Sequence, residues 1–253
     1  SEQRRIVKLL SAADRLRELR READAKADRI LPGLFLKMFG DPVTNPRGLR
    51  KKALGNLLRV KSGDFLPAKE MVDSGSHSVY GGNGINGLHD EFMFEERKIV
   101  IGRVGAYCGV VHYSKPQSWI TDNALYVSEL FEPLDDHYLV AALKMANLNQ
   151  YAGRAGQPLI SGSRIYPVEV LVPAEADQKV FAVANSTVLD LKRQSEVASK
   201  HLDQLWAALV QRAFSGELTA NWRAGHMQEL LTEMQQQARL LKLPFPNSLE
   251  ASP

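Results

Sequence analysis

The chain has 253 residues and one cysteine, Cys108, so no internal disulfide can form and a reducing, cytoplasmic setting is expected. At 44% hydrophobic and 24% charged it can bury a core, which excludes a disordered or fibrous chain. A net charge of +3 is compatible with a nucleic-acid partner without demanding one, and no apolar run reaches the roughly 18 residues of a membrane span or forms a signal peptide.

The chain opens on Ser-Glu-Gln, already at a helix start, and so reads as a fragment or a processed form. Ile6, Leu9, Ala13, Leu16, Ala23, Ala27, Ile30 and Leu34 then recur at alternating spacings of three and four, with Arg20 in the remaining slot. That is the pattern of a coiled-coil seam, with charged residues on the outer face. Pro32 is expected to kink this helix, and Phe39-Gly40-Asp41-Pro42 to end it.

Residues 41–173 change character, with many glycines and β-branched residues. Strands are expected at 55–60, 98–102, 109–113, 124–127 and 168–173, a dense turn at 79–87 and a helix at 136–151. The segment carries 14 Lys and Arg against 14 Asp and Glu, too balanced for a module that only grips phosphate. Reading base edges instead takes amides, hydroxyls and a few arginines on positioned loops. Candidates are Tyr80, Asn83, Asn86, Arg103, Tyr107, Asn123, Gln157, Ser161, Ser163 and Arg164. Asn83 and Asn86 could instead serve only as turn residues that tolerate left-handed backbone.

After the insert, the first helix returns. An offset of 175 residues places Ile6, Leu9, Ala13, Leu16, Ala23, Ala27, Ile30 and Leu34 on Phe181, Ala184, Val188, Leu191, Ala198, Leu202, Leu205 and Leu209. Arg20 falls on Ser195, while Gln3, Ser11, Leu16 and Phe39 match Gln178, Ser186, Leu191 and Phe214 outright. The repeat implies helix, insert, helix. Since the first copy runs into the insert and the second runs out of it, paired seams would be antiparallel. The expected fold is therefore α+β: a mixed, mainly antiparallel domain inserted between two long helices that form an antiparallel coiled-coil stalk. The expected divisions are a first helix at 1–40, the inserted domain at 41–175, a second helix at 176–218 and a tail at 219–253 with a helix from His226 to Leu241.

Catalytic and cofactor signatures are missing. The histidines are scattered without His-Glu-x-x-His, no second cysteine offers a zinc site, and no phosphate-binding glycine loop has the required spacing. Cys108, in a glycine-bounded bend, reads as a small buried hydrophobe. No metal and no cofactor are expected, and a nuclease built on scattered carboxylates stays open, although nothing points to it.

Together these residues resemble one family, the DNA-specificity subunits of type I restriction–modification systems. Glu2-Gln3-Arg4-Arg5-Ile6 and Asp177-Gln178-Lys179-Val180-Phe181, the latter following Pro173, are similar to the start of that family's conserved helices. Phe214-Ser215-Gly216-Glu217-Leu218-Thr219 is similar to their ending. Ser62-Gly63, Tyr80-Gly81-Gly82-Asn83-Gly84-Ile85, Gly102-Arg103-Val104-Gly105, Thr121-Asp122-Asn123-Ala124 and Gly156-Gln157-Pro158-Leu159-Ile160-Ser161 resemble, in order, strings of its target-recognition domains.

The resemblance implies a non-catalytic module that binds double-stranded DNA and reads one half of a split target. Its helices would dock methyltransferase subunits, with Leu16, Leu19, Leu191, Leu202 and Trp206 as partner-binding residues, and a restriction subunit would join the complex. The chain departs from the family in having one recognition domain instead of two. It could instead be a half-size subunit that homodimerises through its helices and reads a symmetric target. Two readings outside DNA recognition stay open: a coiled-coil adaptor, and a small-ligand enzyme using residues 80–87 as a phosphate cradle.

Overall fold

The protein was analysed as a computed structural model that describes residues 2–153 and 157–244. It divides into two compact units, one formed by Asp28–Asp190, the other by the residues up to Ala27 together with those from Leu191 onward.

The first long helix, α1 (Glu2–Ala27), stops before Pro32, and α2 (Ile30–Phe39) follows after a two-residue turn. Proline has no N–H for the carbonyl four residues back, here Asp28, so the helix breaks there instead of merely bending. Gly40 ends α2 at a φ of 81°, its N–H bonded to the Leu36 carbonyl at 2.9 Å.

Within Asp28–Asp190, α2 is followed by β1 (Lys51–Ala53), β2 (Leu58–Ser62), β3 (His77–Gly81), β4 (Gly84–His89) and β5 (Ile99–Gly102). Next come β6 (Val111–Tyr113), β7 (Ser118–Ile120), β8 (Ala124–Leu130), α3 (Asp136–Met145), α4 (Gly162–Ile165), β9 (Glu169–Leu171) and the first part of α5 (Glu175–Phe214). The strands form an antiparallel sheet in the order β2-β8-β5-β6, a sheet β4-β3-β7 and the pair β1-β9. Only β3 with β7 is parallel among these pairings, so the domain is mixed and mainly antiparallel, as expected.

Two local differences from the sequence expectation have identifiable causes. The strand expected at 55–60 begins only at Leu58, because Leu54 and Gly55 donate their N–H groups to the Val168 and Tyr166 carbonyls. The helix expected at 136–151 ends at Met145. Asn147 adopts left-handed backbone, φ 46°, and a short 3-10 turn covers Leu148–Tyr151. The start of α3 is set by Asp135, whose carboxylate accepts from the His137 and Tyr138 N–H groups.

A main apolar core joins Leu54, Leu57, Ile99, Ile101, Leu139, Leu143 and Val170. An aromatic core joins α2, α3, β9 and α5 through Phe35, Phe39, Tyr138 and Phe181. The Phe39 and Tyr138 rings meet edge to face at 5.1 Å, and the Tyr138 hydroxyl donates to the Leu171 carbonyl at 2.7 Å. Burial pushes that hydroxyl's pKa up. Gln178, 2% exposed, donates to the Pro173 carbonyl and accepts from the Asp135 N–H, each at 3.0 Å. The Gln of the repeated helix start therefore fastens α5 to the domain that precedes it.

In the other unit, α1 lies beside the later part of α5, followed by α6 (Ala220–Gly225) and α7 (Met227–Leu241). Arg17 donates to Asp203 at 2.9 Å, Ser195 donates to Asp24, and Thr219 and Arg223 donate to Glu2. Rising numbers on α1 meet falling numbers on α5, so the helices are antiparallel. The register corrects the expected seam. The half-buried positions include Ile6, Leu10, Ala13, Arg17, Arg20, Asp24 and Ala27 on α1, and Lys192, Ser195, Ser199, Leu202, Trp206 and Leu209 on α5. Leu9, Leu16, Leu191 and Leu205, expected inside, are 41%, 53%, 59% and 51% exposed. The offset of 175 still maps seam onto seam: Arg17 falls on Lys192, Arg20 on Ser195 and Asp24 on Ser199. Alternate seam slots have moved by one residue in both copies, and polar pairs hold the middle. Arg17 also lies over the Trp206 ring, 5.1 Å from its centre. The Ser195 hydroxyl, assisted by Arg20, holds the Asp24 carboxyl below its usual pKa.

None of the described helices is long and apolar enough to cross a membrane, and no described cluster of His, Cys, Asp and Glu could hold a metal.

Candidate nucleic-acid interface

The glycine-marked strings, spread over 100 residues of sequence, meet in space. Gly63, just after β2, donates to the Ala124 carbonyl at 3.1 Å, and Asp64 donates to the Ile120 carbonyl at 3.0 Å. A Cβ on Gly63 would lie 2.1 Å from the Ile120 oxygen, so only glycine lets these segments touch. Gly102, at the end of β5, is enclosed in the same way, with a Cβ falling 2.1 Å from the Tyr107 oxygen and 2.6 Å from the Gly82 oxygen.

Backbone bonds complete the junction. Thr121 donates to the Tyr80 carbonyl at 2.8 Å, Arg103 to Asn123 at 2.9 Å, Gly105 to Pro158 at 3.0 Å and Ile160 to Arg103 at 2.8 Å. Four of the strings, and the described part of the fifth, thus form one junction. Gly156, the first residue of the fifth string, lies outside the described residues.

Arg103 sits at the centre. Its Nη1 donates to the Ser62 hydroxyl at 2.9 Å and to the Asp122 carbonyl at 3.2 Å. Its Nε and Nη2 have no protein partner among the described residues, so one edge of the guanidinium remains for a ligand. Asn83, Asn86, Asn123, Gln157 and Arg164 are exposed, and Tyr107 is 50% exposed. Gly105, at a φ of 74°, brings its loop against Gln157, whose Nε2 would lie 3.6 Å from a Cβ there. The Ser161 and Ser163 hydroxyls bond each other at 2.9 Å. The Arg164 guanidinium packs on bare Gly153, where a Cβ would come within 2.8 Å of Nη2.

Tyr80 departs from the expected surface position. It is 5% exposed, and its hydroxyl accepts the Lys115 N–H at 3.0 Å. Burial raises its pKa. Its role is to brace the β3–β4 hairpin from below, not to present a group to solvent. The turn reading of Asn83 and Asn86 is also corrected: left-handed backbone falls on Gly84, φ 93°, and on neither asparagine. The Asn86 amide packs over Gly81, where a Cβ would meet Nδ2 at 2.0 Å, while Asn83 stands at the tip.

Cys108 is fully buried, donates weakly to the Arg103 carbonyl at 3.2 Å, and has its thiol pKa raised by burial. That is the environment of a packed side chain, not of an activated nucleophile. Ser62 and Asp122, the groups that hold Arg103, belong to the family-like strings but are not among the residues expected to form the site. Their partner is 41 residues from one and 19 from the other, a pairing that no local pattern encodes.

Of the partner-binding residues expected on the helices, Leu16, Leu19 and Leu191 are 53%, 43% and 59% exposed. Leu202 and Trp206 are half-buried in the seam, Trp206 beneath Arg17.

No protein-family profile matches the chain. Over 139 residues, 53% of the chain, it is 30% identical to the type I restriction enzyme EcoprrI specificity subunit of Escherichia coli, of which it covers 34%. The fold matches a crystal structure of the S subunit of a type I restriction–modification system from M. genitalium, with a TM-score of 0.59 at 19% identity, covering 83% of this chain and 60% of that one. It also matches a structure from work on complex assembly and conformational transition of the type I restriction–modification system, with a TM-score of 0.56 at 21% identity, covering 86% of this chain and 60% of that one. In sequence over about half its length, and in fold over most of it, the chain is similar to type I restriction–modification specificity subunits, and it spans about a third of the curated relative's length.

Proposed function

We propose that this chain is a DNA-specificity module of a type I restriction–modification complex, acting without catalytic residues of its own in the cytoplasm. The carrying observation is the junction of the glycine-marked strings, whose loops carry Arg103, Asn83, Asn123 and Gln157, with Arg164 on α4 packed against Gly153. Such a face suits base reading: fixed backbone, free amides and a guanidinium edge, with little net charge. The recognition domain is residues 41–175, between spacer helices at 1–40 and 176–218, and it reads one half of a split duplex target. The exposed leucines Leu16, Leu19 and Leu191 support docking of methyltransferase subunits on the helices, with a restriction subunit joining the full complex.

The test is selection of bound duplexes from a random pool in the presence of the methyltransferase partner. A defined sequence element is expected, and its retention should fall steeply as salt rises. Recovery of no preferred sequence, with partner assembly intact, would overturn DNA reading and favour the adaptor.

A further inference from the structure

The β3–β4 hairpin is chemically distinct from the rest of the face. Residues 78–88 contain no Lys, Arg, Asp or Glu, so the hairpin has no charge with which to hold phosphate. Its tip offers the exposed amide of Asn83, followed by one exposed branched apolar side chain, Ile85, 48% exposed, and by the exposed Asn86. Its base is held on several sides. Gly82 lies against the Asn123 and Val104 carbonyls, and the His112 ring lies beneath Gly84, 3.2 Å from where a Cβ would stand. Tyr80 opposes Ile85 across the ladder and is pinned through its hydroxyl. Asn86 packs its amide on Gly81 and so stiffens the turn.

A two-stranded ribbon fits the major groove, where adenine presents an N7 acceptor and an N6–H donor, and thymine presents its methyl group. We propose, resting on the DNA-reading function above, that this hairpin enters the major groove and selects A·T pairs. Asn83 accepts from adenine N6–H and donates to N7, while Ile85 packs on a thymine methyl. Two residues of chain reach at most about 7 Å, the rise of roughly two base pairs, so the two contacts fall within about two pairs of each other. A G·C pair at those positions sets the guanine O6 acceptor against the Asn83 oxygen, with N7 still accepting from the amide nitrogen, and offers Ile85 no methyl group.

The experiment takes the duplex selected with the complex and replaces each thymine singly by deoxyuridine, which lacks the methyl, and each adenine by 7-deazaadenine, which lacks N7. One deoxyuridine position is expected to weaken wild-type binding about three- to tenfold. Ile85→Ala weakens binding to the unmodified duplex by a similar factor and loses the deoxyuridine effect, while Ile85→Val keeps it. Asn83→Ala removes the 7-deazaadenine effect in the same way. A selected element whose deoxyuridine and 7-deazaadenine sensitivities are identical in wild type and both alanine variants overturns the assignment to this hairpin while leaving DNA reading intact. A pool that yields no element overturns both.

Discussion

Arg103 commits one guanidinium nitrogen to Ser62 and Asp122 and keeps its other edge open. Arg103→Ala should cost about 1–3 kcal/mol of discrimination at a single base position, read as a relaxed preference in the selected pool. Arg103→Lys should fail to restore it, since an ammonium cannot make both the internal bonds and a planar base contact. The glycines beneath are as demanding. Gly63→Ala or Gly102→Ala places a methyl 2.1 Å from a carbonyl oxygen and should destabilise the domain by roughly 1–3 kcal/mol in denaturant titration. Both stand in the strings that carry the family resemblance, but the close backbone approach that each permits joins segments far apart in sequence and shows only in the fold. The direction of Tyr80 was not legible either. An aromatic in a glycine-rich string reads equally as surface or brace, and the N–H it accepts belongs to Lys115, 35 residues away.

The paired helices show a different kind of ambiguity. Leu9 is followed by Leu10, and Leu205 by Trp206, so a spacing of threes and fours fits two registers one residue apart. The 175-residue offset carries through both, which is why the repeat and antiparallel order were readable and the seam's exact face was not. What decided the register is polar pairing across the helices: Arg17 with Asp203 and Trp206, and Ser195 with Asp24. Arg17→Ala should lower helix-unit stability by about 1 kcal/mol, a modest figure because Asp203 is 60% solvent-exposed. Leu16→Asp, on the outer face, should leave the melting temperature within about a degree of wild type yet weaken co-purification with a methyltransferase subunit. Loss of folding in that variant would place Leu16 in the seam after all.

At the scale of the molecule, the domain over Asp28–Asp190 holds the buried aromatic and aliphatic cores, whereas α1 has no fully buried residue. Amide exchange should therefore be slowest in β5 and α3 and much faster along α1. Acid acts on the domain through His112, which burial and, secondarily, the Lys144 charge hold below the usual imidazole pKa. As the pH falls below about 6.5 the unfolded chain takes up this proton before the folded one, so stability drops from there downward and is unaffected above. His112→Gln should flatten that part of a stability–pH curve. The antiparallel pairing has one more consequence, which concerns time. Arg17 meets Asp203, 186 residues further along, and a ribosome adding about 5–20 residues per second needs roughly 10–40 s to supply that partner. Throughout that interval α1 is an amphipathic segment without its mate, carrying the seam residues Ile6, Leu10 and Ala13 into the cell unshielded. The cell's capacity to hold nascent chains, more than the final stability of the helix pair, would then limit the yield of assembled protein.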